Sequence, residues 1–135
     1  MYDLKIKWYE DPRANRCSSD QVYFDINTCG LKGINLIEAS AGTGKTHSIS
    51  KLFVRLLLEK EIALDQILVV TFAEAATEEL RIRIREELTD TAKNLDKKNK
   101  KARSIIEYAL NNFDEASIFT IHGFCRKLLK ENAFE

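Results

Sequence analysis

Apolar positions along the chain form short unbroken runs that alternate with longer stretches of helical spacing. The runs predict strands at residues 34–39, 67–72 and 117–120. The second run is apolar and rich in β-branched residues throughout, which is typical of a strand buried on both faces. Residues 22–26 are a candidate for a short edge strand.

Between the runs, apolar residues recur at i, i+3, i+4 and i+7, the spacing of one helical face. This pattern predicts helices over about residues 45–60, 74–95 and 102–113, and a fourth helix after residue 120. The second helix is expected to bury Ala76, Leu80, Ile84, Leu88 and Ala92. The fourth is expected to turn inward Ile121, Phe124, Cys125, Leu128 and Leu129. Arginines at 81, 83 and 85 fit a solvated face paired with nearby glutamates.

Strands that alternate with helices predict an α/β fold, with a parallel sheet covered by helices on both faces. Residues 1–23 lack a sustained period and contain Pro12, so we interpret them as an N-terminal arm. Residues 24–135 then form the folded domain. Because only three core strands are visible, we expect this domain to be the front part of something longer.

Composition excludes several classes of protein. The chain has 135 residues, of which 44% are hydrophobic, as in a soluble domain of ordinary size. Its apolar runs are far shorter than the ~18 residues of a membrane span, so no membrane partner is expected. The three cysteines are odd in number and lack metal-ligand spacing, which predicts reduced thiols in a cytoplasmic protein. Lys and Arg total 21, as do Asp and Glu, so whole-chain charge gives no support to nucleic-acid binding.

Residues 39–46 carry the most specific chemistry in the chain. They read Ala-Ser-Ala-Gly-Thr-Gly-Lys-Thr, follow a predicted strand and open a predicted helix. This is a Walker A pattern except at the first position, where Ala39 replaces glycine. Gly42 and Gly44 let backbone N–H groups turn toward phosphate oxygens. Lys45 brings a charge to the β- and γ-phosphates, and Thr46 offers a hydroxyl to Mg²⁺.

The sequence therefore predicts ATP and Mg²⁺ as cofactors. A structural turn would explain the glycines, but not a Gly-Lys-Thr placed at the first turn of a helix. Lys45 and Thr46 take the catalytic role, with Thr46 also the metal ligand. The expected nucleotide-binding residues are Ala39, Ser40, Ala41, Gly42, Thr43, Gly44, Lys45, Thr46 and His47.

Two later segments complete a family pattern. Residues 69–84, which begin Val-Val-Thr-Phe-Ala-Glu, resemble motif Ia of superfamily 1 helicases of the UvrD/Rep type. Residues 119–125, Phe-Thr-Ile-His-Gly-Phe-Cys, resemble their motif Ib. The particular residues of the first and third motifs are similar to those of the RecB-type branch of this family, the beta subunits of exodeoxyribonuclease V. The resemblance covers about residues 24–135, apart from the lysine-rich stretch near residue 98.

The resemblance implies an incomplete first motor domain (1A, P-loop NTPase, RecA-like) of an ATP-driven 3′→5′ DNA helicase. In that family such a subunit works with others in a helicase–nuclease complex that processes double-strand breaks for repair and recombination. It implies single-stranded or duplex-end DNA as partner, facing Thr71, Phe72, Thr120 and His122. Ala73 departs from the threonine that is common there, so one hydroxyl contact is expected to be lacking.

The same residues leave other interpretations open. Phe72 can be a core residue, and His122 can bond its own helix backbone. Hydrolysis needs a carboxylate at the end of a buried strand, whereas Asp65 and the pair Asp114-Glu115 precede their strands. We therefore expect nucleotide binding without hydrolysis in this chain alone, and no nuclease metal site. The alternatives are a small-molecule kinase, which needs an arginine-rich lid, and a non-catalytic nucleotide-binding module.

Overall fold

The structure is a computed structural model that describes residues 5–7, 26–34, 36–38 and 44–133. Within these residues, four strands and four helices follow one another as β1 (Lys5–Lys7), β2 (Leu36–Glu38), α1 (Lys45–Glu59), β3 (Leu68–Thr71), α2 (Glu74–Asn94), α3 (Lys100–Asn111), β4 (Ser117–Thr120) and α4 (Ile121–Glu131). Short 3₁₀ turns, Leu64–Gln66 and Phe113–Glu115, precede β3 and β4. The chain is an α/β protein that divides into two compact units, Met1–Ile49 and Ser50–Glu135.

The first unit contains an antiparallel strand pair. Lys5 of β1 faces Glu38 of β2, and Lys7 faces Leu36. Sequence analysis predicted an arm over residues 1–23 and missed β1, because a three-residue strand is too short to leave a periodic signal. It also expected β2 in a parallel sheet, whereas the partner of β2 here is antiparallel.

Two predicted strands of this unit differ from the structure or fall outside it. β2 is shorter than the predicted 34–39, since Ile34 precedes it and residue 39 lies outside the described residues. Of the candidate edge strand over residues 22–26, the first four residues lie outside the described part of the chain. Ile26 belongs to a turn.

The second unit contains the parallel pair. β3 and β4 run in the same direction, with Leu68 opposite Ser117 and Thr71 opposite Thr120. β4 has the predicted bounds and β3 lies within the predicted 67–72. A parallel pair needs a crossover connection, and α2 and α3 lie between these two strands in the chain.

One face of this pair packs on the hydrophobic core. The predicted face of α2 is confirmed at Leu80, Ile84 and Leu88, which are buried. Ala76 is exposed instead of buried, and Thr77 takes the buried place at that turn. Side chains of α1, α3 and β4 complete the core, among them Phe53, Leu57, Ile106, Ala109 and Ile118.

α4 lies against the opposite face. Successive strand residues point to opposite faces, so Phe119 points away from the side that Ile118 and Thr120 occupy. The Phe119 ring lies 6.4 Å from the ring of Phe124 in α4. Leu68 and Val70 share this second face and are 45% and 40% exposed. The prediction of a strand buried on both faces is therefore wrong for β3.

The burial predicted for α4 is also wrong. The helix begins at Ile121 as expected, but none of its residues is buried. Of the side chains predicted to turn inward, Phe124 is half-buried, whereas Leu129 is 73% exposed and Ile121, Cys125 and Leu128 are exposed. Helical spacing predicts an apolar stripe but not an element that covers it. In the described part of this unit, the sheet beneath α4 has two strands.

Candidate functional site

Gly44 leads the chain into helix α1 through a backbone conformation that other residues disfavour. Its φ is +83°, in the left-handed region where a Cβ would add strain. Its carbonyl accepts the N–H of Ser48 at 2.9 Å, which is the first helical hydrogen bond. Helix α1 therefore begins at Lys45, directly after a residue whose backbone conformation favours glycine.

The start of α1 suits a bound anion. A helix N-terminus carries partial positive charge and unpaired N–H groups. No acidic side chain lies in the first turn of α1 to offset that charge. Lys45 and His47 are exposed there and Thr46 is half-buried. A cation, a hydroxyl and the N–H groups of a helix start are what a magnesium-bound phosphate needs, so these residues fit ATP with Mg²⁺.

The structure describes only part of the predicted nucleotide site. Gly44, Lys45, Thr46 and His47 lie together at the start of one helix. The other predicted residues lie outside the described part of the chain: Ala39, Ser40, Ala41, Gly42 and Thr43.

The residues predicted to face DNA gather at the carboxyl ends of β3 and β4. Thr71 and Thr120 are the last residues of the two strands and face each other in the parallel register. Phe72 follows Thr71 and is 81% exposed, so it is not a core residue. His122, the second residue of α4, is also exposed. Two adjacent strand ends thus present an aromatic ring and an imidazole to solvent.

The Thr71 hydroxyl is already engaged within the protein. Its Oγ1 lies 2.5 Å from Oγ1 of Thr77 and 3.1 Å from the carbonyl of Ala73. Thr77 Oγ1 lies 3.2 Å from the same carbonyl. Each hydroxyl has one proton, so one threonine donates to Ala73 and accepts from the other. The three groups tie the end of β3 to the first turns of α2.

Thr120 is engaged as well. It is buried, and its hydroxyl caps α4 by accepting the N–H of Gly123 at 3.0 Å. The same hydroxyl donates to Glu74 Oε1 at 3.4 Å. N-cap threonines stabilise helices by satisfying one unpaired N–H. Of the four predicted strand-end residues, the two threonines are therefore held in internal contacts, and Phe72 and His122 have their side chains toward solvent.

Arg81 plays a part that sequence analysis missed. We predicted a solvated helix face, and that holds for Arg83, whose Nη1 lies 3.5 Å from Glu86 Oε2. Arg81 instead donates from Nη2 to the carbonyl of Ile118 in β4 at 2.7 Å. The position of Arg81 in the helix could have predicted this inward contact. Position 81 lies four residues after Thr77 and three before Ile84, on the buried side of α2.

Comparison with known proteins identifies the family of this chain. The chain matches the family described as the UvrD/REP helicase N-terminal domain over residues 24–135, and it belongs to that family. Among the described residues, no helix is both long and apolar enough to cross a membrane.

The relatives are RecB-type proteins, which confirms the finer resemblance. The chain is 43% identical over 137 residues to the RecBCD enzyme subunit RecB of Haemophilus influenzae, covering 79% of this chain and 11% of that protein. It is 43% identical over 130 residues to the Escherichia coli RecB subunit, with coverages of 78% and 11%. For the Mycolicibacterium smegmatis RecB subunit the identity is 37% over 110 residues, with coverages of 70% and 10%. The chain thus spans about a tenth of the length of these relatives.

Proposed function

We propose that this chain is the ATP-binding portion of the first motor domain of a DNA helicase, with a P-loop, RecA-like architecture. The observation that carries the proposal is the turn at Gly44, with φ of +83°, into a helix whose first turn holds Lys45 and Thr46 and no carboxylate. Membership of the UvrD/REP family supports the same assignment.

In this proposal the phosphates of ATP lie along residues 39–47. The N–H groups at the start of α1 donate to phosphate oxygens. Lys45 Nζ neutralises charge on the β- and γ-phosphates, and the Thr46 hydroxyl is a ligand of Mg²⁺. When bound, Mg·ATP supplies the phosphoryl group whose hydrolysis drives movement on DNA.

We further propose that single-stranded DNA crosses the carboxyl ends of β3 and β4. The 81% exposure of Phe72 suits stacking on a base, and the exposed His122 suits contact with the backbone. In this proposal Thr71 and Thr120 hold the strand ends in place through their internal hydrogen bonds, and so position Phe72 and His122. Because the formal net charge is zero, this surface neutralises few phosphates, and we expect weak, single-strand-selective binding.

The roles of the whole parent protein are proposals drawn from its relatives. Their name, RecBCD enzyme subunit RecB, describes a subunit of an enzyme complex. We propose that the parent of this chain works in such a complex as a 3′→5′ translocating helicase, with an exonuclease, in the cytoplasm. Its partners would be DNA ends and the other subunits.

A titration of Mg·ATP by calorimetry tests the nucleotide site. Lys45→Ala should weaken binding by roughly 10- to 100-fold, the value of a charge-assisted hydrogen bond. The matched control is Lys60→Ala, which removes an exposed lysine just beyond the other end of α1. Equal affinity of Lys45→Ala and the wild-type chain would overturn the site. Phosphate transfer to a small-molecule acceptor would favour a kinase instead.

A further inference from the structure

One face of helix α2 contacts the last residues of both parallel strands. Thr77 bonds the hydroxyl of Thr71 at the end of β3 at 2.5 Å. Glu74 accepts the hydroxyl of Thr120 at the end of β4 at 3.4 Å. The third contact lies one turn further along, where Arg81 donates to Ile118 at 2.7 Å. Residues 74, 77 and 81 are three and four positions apart, which places them on one side of a helix.

The contact of Arg81 with β4 satisfies a backbone group inside the core. The Ile118 N–H donates to the carbonyl of Ala116 at 2.9 Å, and the Ile118 carbonyl accepts from Arg81 Nη2 at 2.7 Å. Ile118 is fully buried. A buried carbonyl needs a partner, and the guanidinium of Arg81 is that partner.

We propose that Glu74, Thr77 and Arg81 are positioning residues that form a clamp. The clamp fixes the carboxyl ends of β3 and β4 relative to each other, so that Phe72 and His122 engage the same single strand of DNA. This inference rests on the proposed function of the strand ends.

The exposure of the two DNA-facing residues makes such a clamp necessary. A side chain that is 81% exposed, like Phe72, has few contacts of its own to fix its position. The position of Phe72 therefore depends on Thr71, one residue before it, and that of His122 on Thr120, two residues before it. If the strand ends move independently, the fraction of molecules that can bind DNA falls, and the apparent affinity falls with it.

Substitutions of Thr77 test the clamp most cleanly. Thr77→Val keeps the shape and removes the hydroxyl that bonds Thr71, whereas Thr77→Ser keeps the hydroxyl. We expect Thr77→Val to weaken binding of a fluorescent oligo-dT by roughly 2- to 30-fold, the range for residues that act on a site through others. Thr77→Ser should restore the wild-type affinity. Circular dichroism at the assay temperature checks that each variant is folded.

Arg81 provides a second, independent measurement. Arg81→Lys keeps the charge but loses the planar guanidinium that reaches Ile118. The matched control is Arg83→Lys in the same helix, since Arg83 pairs with the exposed Glu86 instead. We expect weaker oligo-dT binding for Arg81→Lys and unchanged binding for Arg83→Lys.

A double-mutant cycle separates positioning from general stability. If Thr77 acts through Phe72, Thr77→Val should cost much less affinity when Phe72 is already alanine. Unchanged oligo-dT affinity of folded Thr77→Val and Arg81→Lys, or an equal loss in both Phe72 backgrounds, would overturn the clamp while the DNA site stands. If Phe72→Ala and His122→Ala both bind oligo-dT like the wild-type chain, the proposed DNA site fails, and the clamp fails with it.

Discussion

Phe72 differs from the other phenylalanines in what its ring can contribute. Phe53 and Phe113 are 2% and 4% exposed and belong to the core, whereas Phe72 is 81% exposed. Burial of a phenylalanine side chain contributes about 1.5–3 kcal/mol to folding. Because Phe72 is largely exposed, it contributes little of this stabilisation. The exposed Phe72 ring therefore supports the proposal that this residue contacts a ligand and not the core.

Phe72→Ala should consequently separate DNA binding from stability. The midpoint of thermal unfolding should change little, because exposed substitutions usually alter stability by less than about 0.5 kcal/mol. The affinity for oligo-dT should fall roughly 5- to 100-fold, corresponding to a stacking energy of about 1–3 kcal/mol. Fluorescence anisotropy measures the affinity, and circular dichroism measures the unfolding.

The control for this substitution is Leu129→Ala, which removes an apolar side chain that is 73% exposed on α4. It should leave both the unfolding midpoint and the oligo-dT affinity close to the wild-type values. A folded Phe72→Ala with unchanged affinity would contradict stacking at this residue.

Among the elements, those with a strong period or a marked boundary were predictable from the sequence. α1 was predicted over residues 45–60 and spans Lys45–Glu59. The start of α1 at Lys45 was predictable because Gly44, directly before it, adopts a left-handed φ that glycine tolerates. β4 has the predicted bounds, with Thr120 both its last residue and the N-cap of α4. In these cases the signal lies within a few residues of the boundary itself.

What lies against each element was not predictable in the same way. The pairing of β1 with β2 joins residues about 30 positions apart in the chain, and nothing local specifies it. The apolar stripe of α4 predicted burial that the described structure does not provide, since covering it depends on a separate element. The same holds at the candidate site, where the family resemblance pointed to Thr71 and Thr120 but not to their partners Thr77 and Glu74.

Within α1, the pair Arg55–Glu59 gives a pH-dependent prediction. Arg55 donates from Nε and Nη2 to the two carboxylate oxygens of Glu59, and this hydrogen bonding lowers the pKa of Glu59 below its usual 4.5. A carboxyl whose pKa is lowered by folding stabilises the fold above its unfolded pKa, and it loses that contribution as the pH falls through its folded pKa. Glu59→Gln should therefore lower the unfolding midpoint at pH 7, and the difference from the wild-type chain should shrink as the pH falls through the folded pKa of Glu59.

The effect should be small, because Glu59 is 47% exposed and lies in the last turn of α1. Exposed i,i+4 pairs contribute about 0.3–0.5 kcal/mol, equivalent to roughly 1–3 °C in a domain of this size. The matched control is Glu107→Gln, since Arg103 and Glu107 have the same spacing but a longer distance of 3.9 Å. A midpoint difference between wild type and Glu59→Gln that does not shrink as the pH is lowered well below 4.5 would contradict the assignment.

At the scale of the whole molecule, the acidic residues that precede β3 and β4 bear on whether the proposed ATP site could support hydrolysis. Asp65 lies in the 3₁₀ turn before β3, and Asp114 and Glu115 lie in the turn before β4. They are therefore at the amino ends of the parallel strands, whereas Thr71 and Thr120 are at the carboxyl ends. Ligands of open parallel sheets bind outside the carboxyl ends, so these carboxylates lie at the edge opposite to the one where such sheets bind ligands.

The purified chain should accordingly bind Mg·ATP without turning it over. Phosphoryl transfer requires a carboxylate to hold the metal and orient water, together with cationic groups that stabilise charge in the transition state. Phosphate release, measured with and without oligo-dT, should equal the background seen with Lys45→Ala, which also reveals any contaminating ATPase. DNA-stimulated release that disappears in Lys45→Ala would contradict this, and Asp65→Asn and Asp114→Asn would then identify the carboxylate responsible. Binding without turnover, in contrast, would mean that the chain recognises the nucleotide but does not supply the groups that hydrolyse it.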